Sequence, residues 1–278
     1  MREVASGIYW ETKFPGVRVG AVAGDDGLLL VDSPIRTEDG REWLAALADI
    51  GRPRFLAALD YHPDRVLGAR ALDLPLIAHD LTRQVISGWP DTFKGSAAPI
   101  GAEADRLKRI TGVRKAIPEL SFSDAMVLHL GDREVVLQHR PGPTAGSIWV
   151  EVPEIRLAFI GDTVMLGEPP YLGEADLDSW LATLEASRKP PYDRYTLLAS
   201  KDGRVKVDGV AAMIRFLRKV IHRLERLGSK DAPSEAAAVS ASSLLEGFRL
   251  PAARREQALL RLQTGMTRLY DRMYAPGK

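Results

Sequence analysis

A chain of 278 residues with 38 Lys and Arg against 37 Asp and Glu has a net charge of +1, so no global field draws it toward nucleic acid, an anionic membrane or acidic substrates. It contains no cysteine, which excludes disulfides, thiolate metal ligands and a cysteine nucleophile. The length suits one large α/β domain or two smaller ones. With no basic-then-apolar leader and no run of about 18 uncharged apolar residues, a cytoplasmic protein without a membrane partner is expected.

In chain order, Val17 to Val22 and Leu28 to Asp32 are β-rich runs around Gly24-Asp25-Asp26-Gly27, a hairpin turn. Arg41 to Ile50 has helical spacing through Trp43, Leu44, Leu47 and Ile50, and Arg54 to Leu59 is a short apolar run expected to be a buried strand. Pro63 suits a helix first turn, so a helix is expected over Asp64 to Leu72. Residues 89–118, with a helical centre near 104–110, read as an insertion over one face.

A second strand-rich block follows, with Ala125 to Leu130 and Glu134 to His139 around Gly131-Asp132, then Ile148 to Val152 and Arg156 to Ile160. A helix is expected over Asp176 to Ser187 and a last strand over Tyr195 to Leu198. From Val210 the chain is helical, with an apolar stripe through Ile214, Leu217, Ile221 and Leu224 and a basic face read as solvated. After Pro233 two more helices follow. The last spaces Leu259, Leu262, Met266, Leu269 and Met273 as a coiled-coil-like seam, expected to pack on the domain, with a homodimer contact as second choice.

Four short blocks carry the functional signal. Leu59-Asp60-Tyr61-His62-Pro63-Asp64-Arg65 resembles the His-x-His-x-Asp-His motif of the metallo-β-lactamase superfamily. Pro141-Gly142-Pro143-Thr144-Ala145-Gly146-Ser147 resembles its Pro-Gly-His-Thr-x-Gly-Ser, Phe159-Ile160-Gly161-Asp162-Thr163 its Phe-x-Gly-Asp-Thr, and Ser200-Lys201-Asp202-Gly203 its Pro-Gly-His-Gly. One such block would be weak; four in order are strong. The resemblance implies a four-layer αββα sandwich over residues 1–228, with the 89–118 insertion over the site face and residues 229–278 as a helical C-terminal extension. It also implies descent from hydrolases of thioesters, lactams, lactones or phosphodiesters, which hold two zinc ions that activate a water.

The departures from those motifs matter more than the matches. At the family's ligand positions this chain keeps His62, Asp64 and Asp162 but carries Asp60, Arg65 and Pro143 in place of histidines. The last position aligns with Asp202, or with Lys201 after a one-residue slip. Proline has no ligand atom and arginine stays protonated, so the ordinary dizinc centre is not expected. Pocket residues are therefore Asp60, His62, Asp64, Arg65, Asp162 and Asp202, with Arg65 either paired internally to Asp162 or Asp202 or acting as an anion receptor.

The expectation is a pseudoenzyme or small-molecule-binding protein without a cofactor. The alternative is a mononuclear metallo-hydrolase holding one Mn, Mg, Ca, Fe or Zn ion through His62, Asp64, Asp162, Asp202 and Asp60. Trp89, Phe93, Tyr171 and Leu172 are candidates either to line a substrate cleft or to pack the insertion onto the sandwich. His79, His129, His139 and His222 match no ligand position, with His139 kept as a weak candidate beside the Pro141-Gly142 loop, and no Gly-x-Ser-x-Gly elbow supports a serine hydrolase.

Overall fold

The computed structural model describes residues 1–93, 99–107 and 113–274. The first sheet holds β1 (Arg2–Ala5), β2 (Ile8–Glu11), β3 (Val19–Gly24), β4 (Gly27–Val31), β5 (Pro53–Ala57), β6 (Leu76–His79) and β7 (Leu120–Phe122), in that order across the sheet. Between its strands lie α1 (Thr37–Leu47), α2 (Pro63–Val66) and α3 (Asp80–Ser87). The second sheet runs β13-β12-β11-β10-β9-β8, from β8 (Ala125–Leu130), β9 (Arg133–His139), β10 (Ile148–Val152), β11 (Leu157–Gly161), β12 (Thr196–Ala199) and β13 (Gly203–Arg204). The remaining helices are α4 (Leu177–Ala186), α5 (Val207–Gly228), α6 (Ser234–Leu245) and α7 (Ala252–Tyr274).

Strand periodicity explains the four layers. Successive side chains point to opposite faces of a strand, so a strand apolar at every position must be covered on both sides. In β4, Leu28 and Leu30 meet Trp43 and Leu47 of α1, whereas Leu29 and Val31 meet the facing sheet. In β11, Leu157 and Phe159 face inward between the sheets, and Ala158 and Ile160 face the helical layer built from α4, α5, α6 and α7. The order is helix, sheet, sheet, helix, as the motifs imply. Most of the α7 seam packs inside this layer: Leu262, Met266 and Leu269 are buried among residues of α4 and α5, whereas Met273 is exposed.

Two expected elements differ. The helix expected over 64–72 is split, because α2 ends at Val66 and a short 3-10 turn covers Ala69–Leu72. Gly68 between them lies so close to the chain that a Cβ there would sit 1.8 Å from the Pro34 carbonyl oxygen. This contact, with Ser33 N–H and Oγ both donating to the Arg65 carbonyl, pins α2 to the end of β4. The described residues of the insertion hold a 3-10 turn at Glu103–Asp105 and an antiparallel bridge between Thr92 and Arg114, and residues 108–110 of its expected helix lie outside them.

β4 and β5 run parallel, and so do β11 and β12. The C-terminal ends of both pairs open on one edge of the sandwich, and Asp32, Asp60, Asp162 and Ser200 lie just past them.

Candidate functional site

At that edge the chain buries an arginine among three carboxylates. Arg65 is 2% exposed, and its Nη1 donates to Asp32 Oδ2 at 2.7 Å and to Ser200 Oγ at 3.1 Å. Its Nε lies 2.8 Å from Asp60 Oδ1 and its Nη2 2.7 Å from Asp162 Oδ1. Burial by itself would lower the arginine's proton affinity, but the three carboxylates hold it well above the ordinary value. Of the two internal partners expected from sequence, Asp162 is present and Asp202 is not.

Asp32 was not among the sequence candidates. It ends an otherwise apolar strand with φ at +59°, and its Oδ1 accepts from Leu59 N–H at 2.9 Å. Burial pushes its pKa up to about 6 against the opposing pull of Arg65. A carboxylate closing a fully buried apolar run was the signal available in the sequence, since such a group must be paired.

His62 stands next to this cluster with Nδ1 3.1 Å from Asp60 Oδ1 and 4.0 Å from Asp162 Oδ2. Burial works against its protonation, but Asp60 and then Asp162 outweigh it, so its pKa is raised. Asp60 is correspondingly held well below the usual carboxylate range despite burial, by Arg65 first and His62 second. The His62 Nε2 is buried and has no hydrogen-bond partner among the described residues.

A second ring of charge surrounds the first. Asp64 accepts from the N–H groups of Glu103 and Ala104 at 3.1 and 3.0 Å, and Lys201 Nζ lies 3.3 Å from it. Lys201 also donates to the Gly16 carbonyl and faces Glu168 at 3.8 Å. From α7, Arg261 reaches Glu168 at 2.9 Å, and Arg254 pairs with both Glu103 and Glu168. The insertion and the C-terminal extension thus close the site together, through residues that no short motif marks.

Asp202 is elsewhere. Its carboxylate accepts from Leu166 and Gly167 N–H at 2.6 and 2.7 Å, and the side chain aimed into the site is Lys201. Of the two residues aligned with the last ligand position, Lys201 therefore faces Asp64 and Asp202 faces the Leu166-Gly167 backbone. His79 and His139 stack at 3.8 Å between ring centroids, with ring nitrogens on the carbonyls of Ser123 and Ala145, so His139 is a packing residue.

A largely apolar cavity of about 610 Å³ opens beside His62, walled by Tyr61, Trp89, Phe93, Ile100 and Tyr171, with Lys115, Glu174 and Arg268 also in its lining. Leu172, expected in this lining, is instead fully buried in the helical layer, where Gly265 of α7 packs against it.

The charges make stability pH-dependent in a definite direction. His62 has a raised pKa, so its contribution is whole below its ordinary 6.5 and is lost as pH rises through its folded value. Asp32, raised to about 6, acts in the same sense between 3.8 and that value. Asp64 and Glu168, both lowered against burial by neighbouring cations, contribute above 3.8 and 4.5 and lose it as pH falls through their folded values. Thermal unfolding between pH 6.5 and 9 should therefore show a decline that His62→Gln flattens, at about 1.4 kcal/mol per tenfold change in proton affinity. An equal decline in both proteins would refute the assignment to His62.

Do these residues fit a pair of zinc ions? Pro143 is buried and offers no donor, and the Arg65 guanidinium occupies the space between three of the carboxylates. Lys201 presents an ammonium to Asp64. No group of three or more His, Asp or Glu among the described residues has a metal-holding arrangement. The permanently charged Arg65 guanidinium inside the ligand set repels a divalent ion at short range, so the residues present do not fit the metal pair.

The fold defines an αββα sandwich with its candidate site at the edge where both sheets' parallel strand pairs end. The chain belongs to the metallo-β-lactamase superfamily, whose profile matches residues 14–197. It resembles the metallo-β-lactamase of Pontibacter korlensis (TM-score 0.59, 16% identity, covering 78% of this chain and 97% of that one). A metallo-β-lactamase of Erythrobacter litoralis superimposes with a TM-score of 0.57 at 16% identity, over 78% and 95% of the two chains. Among curated proteins it is 28% identical over 123 residues to the acyl-coenzyme A thioesterase MBLAC2 of Bos taurus, covering 42% of this chain and 43% of that protein. The human counterpart is 27% identical over the same length. The match thus spans less than half of these curated relatives. No helix among the described residues is long and apolar enough to cross a membrane.

Proposed function

We propose that this chain is a ligand-binding member of its superfamily and a pseudoenzyme with respect to metal-dependent hydrolysis. The observation that carries the reading is Arg65, buried with three aspartates at 2.7 to 2.8 Å where the family's ligands would converge. The guanidinium supplies fixed positive charge, so the carboxylates remain ionised and the edge loops stay in place without a metal.

The ligand is an apolar molecule with one hydrogen-bond acceptor. Aromatic and aliphatic walls supply the driving force, and the unpartnered His62 Nε2 is the polar group a ligand carbonyl or carboxylate would satisfy. A fatty acyl group meets both requirements, and the partial likeness to acyl-coenzyme A thioesterases points the same way.

Titration with decanoic acid, followed by tryptophan fluorescence, tests the proposal alongside hydrolysis of a p-nitrophenyl acyl ester with and without EDTA. Saturable binding that ignores EDTA is expected, weakened about tenfold by Trp89→Ala, with no ester turnover above buffer. EDTA-sensitive turnover lost in His62→Ala would overturn the reading in favour of a mononuclear metallo-hydrolase. That enzyme would need Asp202 to leave the Leu166 and Gly167 N–H groups and Arg65 to give up Asp162.

A further inference from the structure

The basic face of α5, expected from sequence to be merely solvated, lines a cleft. Arg215, Lys219, Arg223 and Arg226 fall at i, i+4, i+8 and i+11, and at 3.6 residues per turn they form one row about 17 Å long. His222 joins them at i+7. With the end of α6, the Gly247-Phe248 turn and the Met165-Leu166 loop, this row encloses a cavity of about 640 Å³.

Four features separate this cleft from an ordinary charged helix face. No Asp or Glu is among its lining residues. Arg218, just off the row, does find a carboxylate, Glu185 at 2.9 Å, whereas Arg215, Lys219 and Arg226 have none within 4.0 Å among the described residues. Only Arg223 is engaged, with the Ser240 carbonyl and Ser243 Oγ. The floor is apolar: Met213 and Leu244 are buried, and Phe216 packs on Phe248 edge-on with centroids 5.3 Å apart.

A chain of net charge +1 that gathers four fixed cations in one concave site focuses a positive field there. The volume lies within the range of small-molecule sites, roughly 300 to 1,000 Å³. Guanidinium groups bind phosphate oxygens in pairs, and a phosphate chain can follow a row of cations while an attached planar group rests on the Phe216 side.

We propose that this cleft is a second ligand site, specific for a small organic polyphosphate of the nucleotide type and independent of the acyl pocket beside His62. Its concavity and limited length favour a small molecule over an extended nucleic acid, which would need stacking aromatics along the row.

Isothermal titration of the full chain with ATP and with inorganic tripolyphosphate tests it, at about 50 and 300 mM NaCl. Both should bind one to one and weaken at least about tenfold with salt, and ATP should bind more tightly than tripolyphosphate. The double variant R215E/K219E, both residues exposed, should lose both ligands while keeping the native melting temperature. A control with the same charge change elsewhere, R52E/R54E, should bind as the native chain does. Phe216→Ala should remove the advantage of ATP and leave tripolyphosphate unchanged. Absence of saturable binding at millimolar ATP overturns the proposal, as does an equal loss in both charge variants. So does displacement of ATP by a short single-stranded oligonucleotide at far lower concentration, which would make the face a nucleic-acid surface.

Discussion

Arg65→Met is expected to cost the fold about 3–5 kcal/mol, the range seen when one partner of a buried ion pair is removed. The native side chain meets Asp32, Asp60 and Asp162 within 2.8 Å and is 2% exposed. Removing it leaves three carboxylates that cannot all stay ionised in one dry site. Lysine at position 65 keeps the charge but not the planar fork, so it can serve only part of the cluster and should fall between the native and methionine proteins. Urea unfolding followed by fluorescence gives the numbers. Since a single domain has only about 5–15 kcal/mol in total, a rescue variant keeps the test decisive even where the methionine protein fails to fold. Adding Asp32→Asn, Asp60→Asn and Asp162→Asn to Arg65→Met removes the stranded charge and should recover part of the loss. A loss below about 1 kcal/mol for Arg65→Met alone would mean that the site does not depend on the network.

The second large effect is a gain. Protein purified without a chelator is expected to keep no zinc through desalting, whereas D60H/R65H/P143H/K201H is expected to keep it at close to stoichiometric amounts. Four imidazoles beside His62, Asp64 and Asp162 restore the donors that two zinc ions require, and even one well-formed zinc site is worth about 10 kcal/mol or more at neutral pH. Substituting D202H for K201H in that variant should retain less, because the Asp202 side chain points at the Leu166 and Gly167 N–H groups while Lys201 lies 3.3 Å from Asp64. Elemental mass spectrometry reads both results. Near one equivalent of any metal on the native chain would defeat the metal-free reading, and equal zinc in the two restored variants would defeat the assignment of Lys201 to the site.

Much of this molecule could be read locally. Hairpin turns at Gly24 to Gly27 and Gly131-Asp132, strands apolar at every position and the spacing of the long helices all reflect neighbours a few residues apart. Set beside the family motif it resembles, the run from Asp60 to Arg65 likewise places a carboxylate and a fixed cation at histidine positions, because a ligand's chemistry belongs to the residue type.

Contacts between distant segments were decided by the tertiary structure. Asp32 became a partner of Arg65 only because β4 and β5 pair in parallel and end side by side. Glu168, Arg254 and Arg261 entered the outer ring because α7 folds back over the insertion, and the basic face of α5 became a cleft wall only where α6 closed against it. The choice between Lys201 and Asp202 is the sharpest case. Ser200, Lys201 and Asp202 form the turn between β12 and β13, so the course of that turn decides which side chain enters the site. Sequence fixes the two residues as neighbours; the pairing of β12 with β13 through Gly203, at φ +91°, sends the ammonium inward and the carboxylate out.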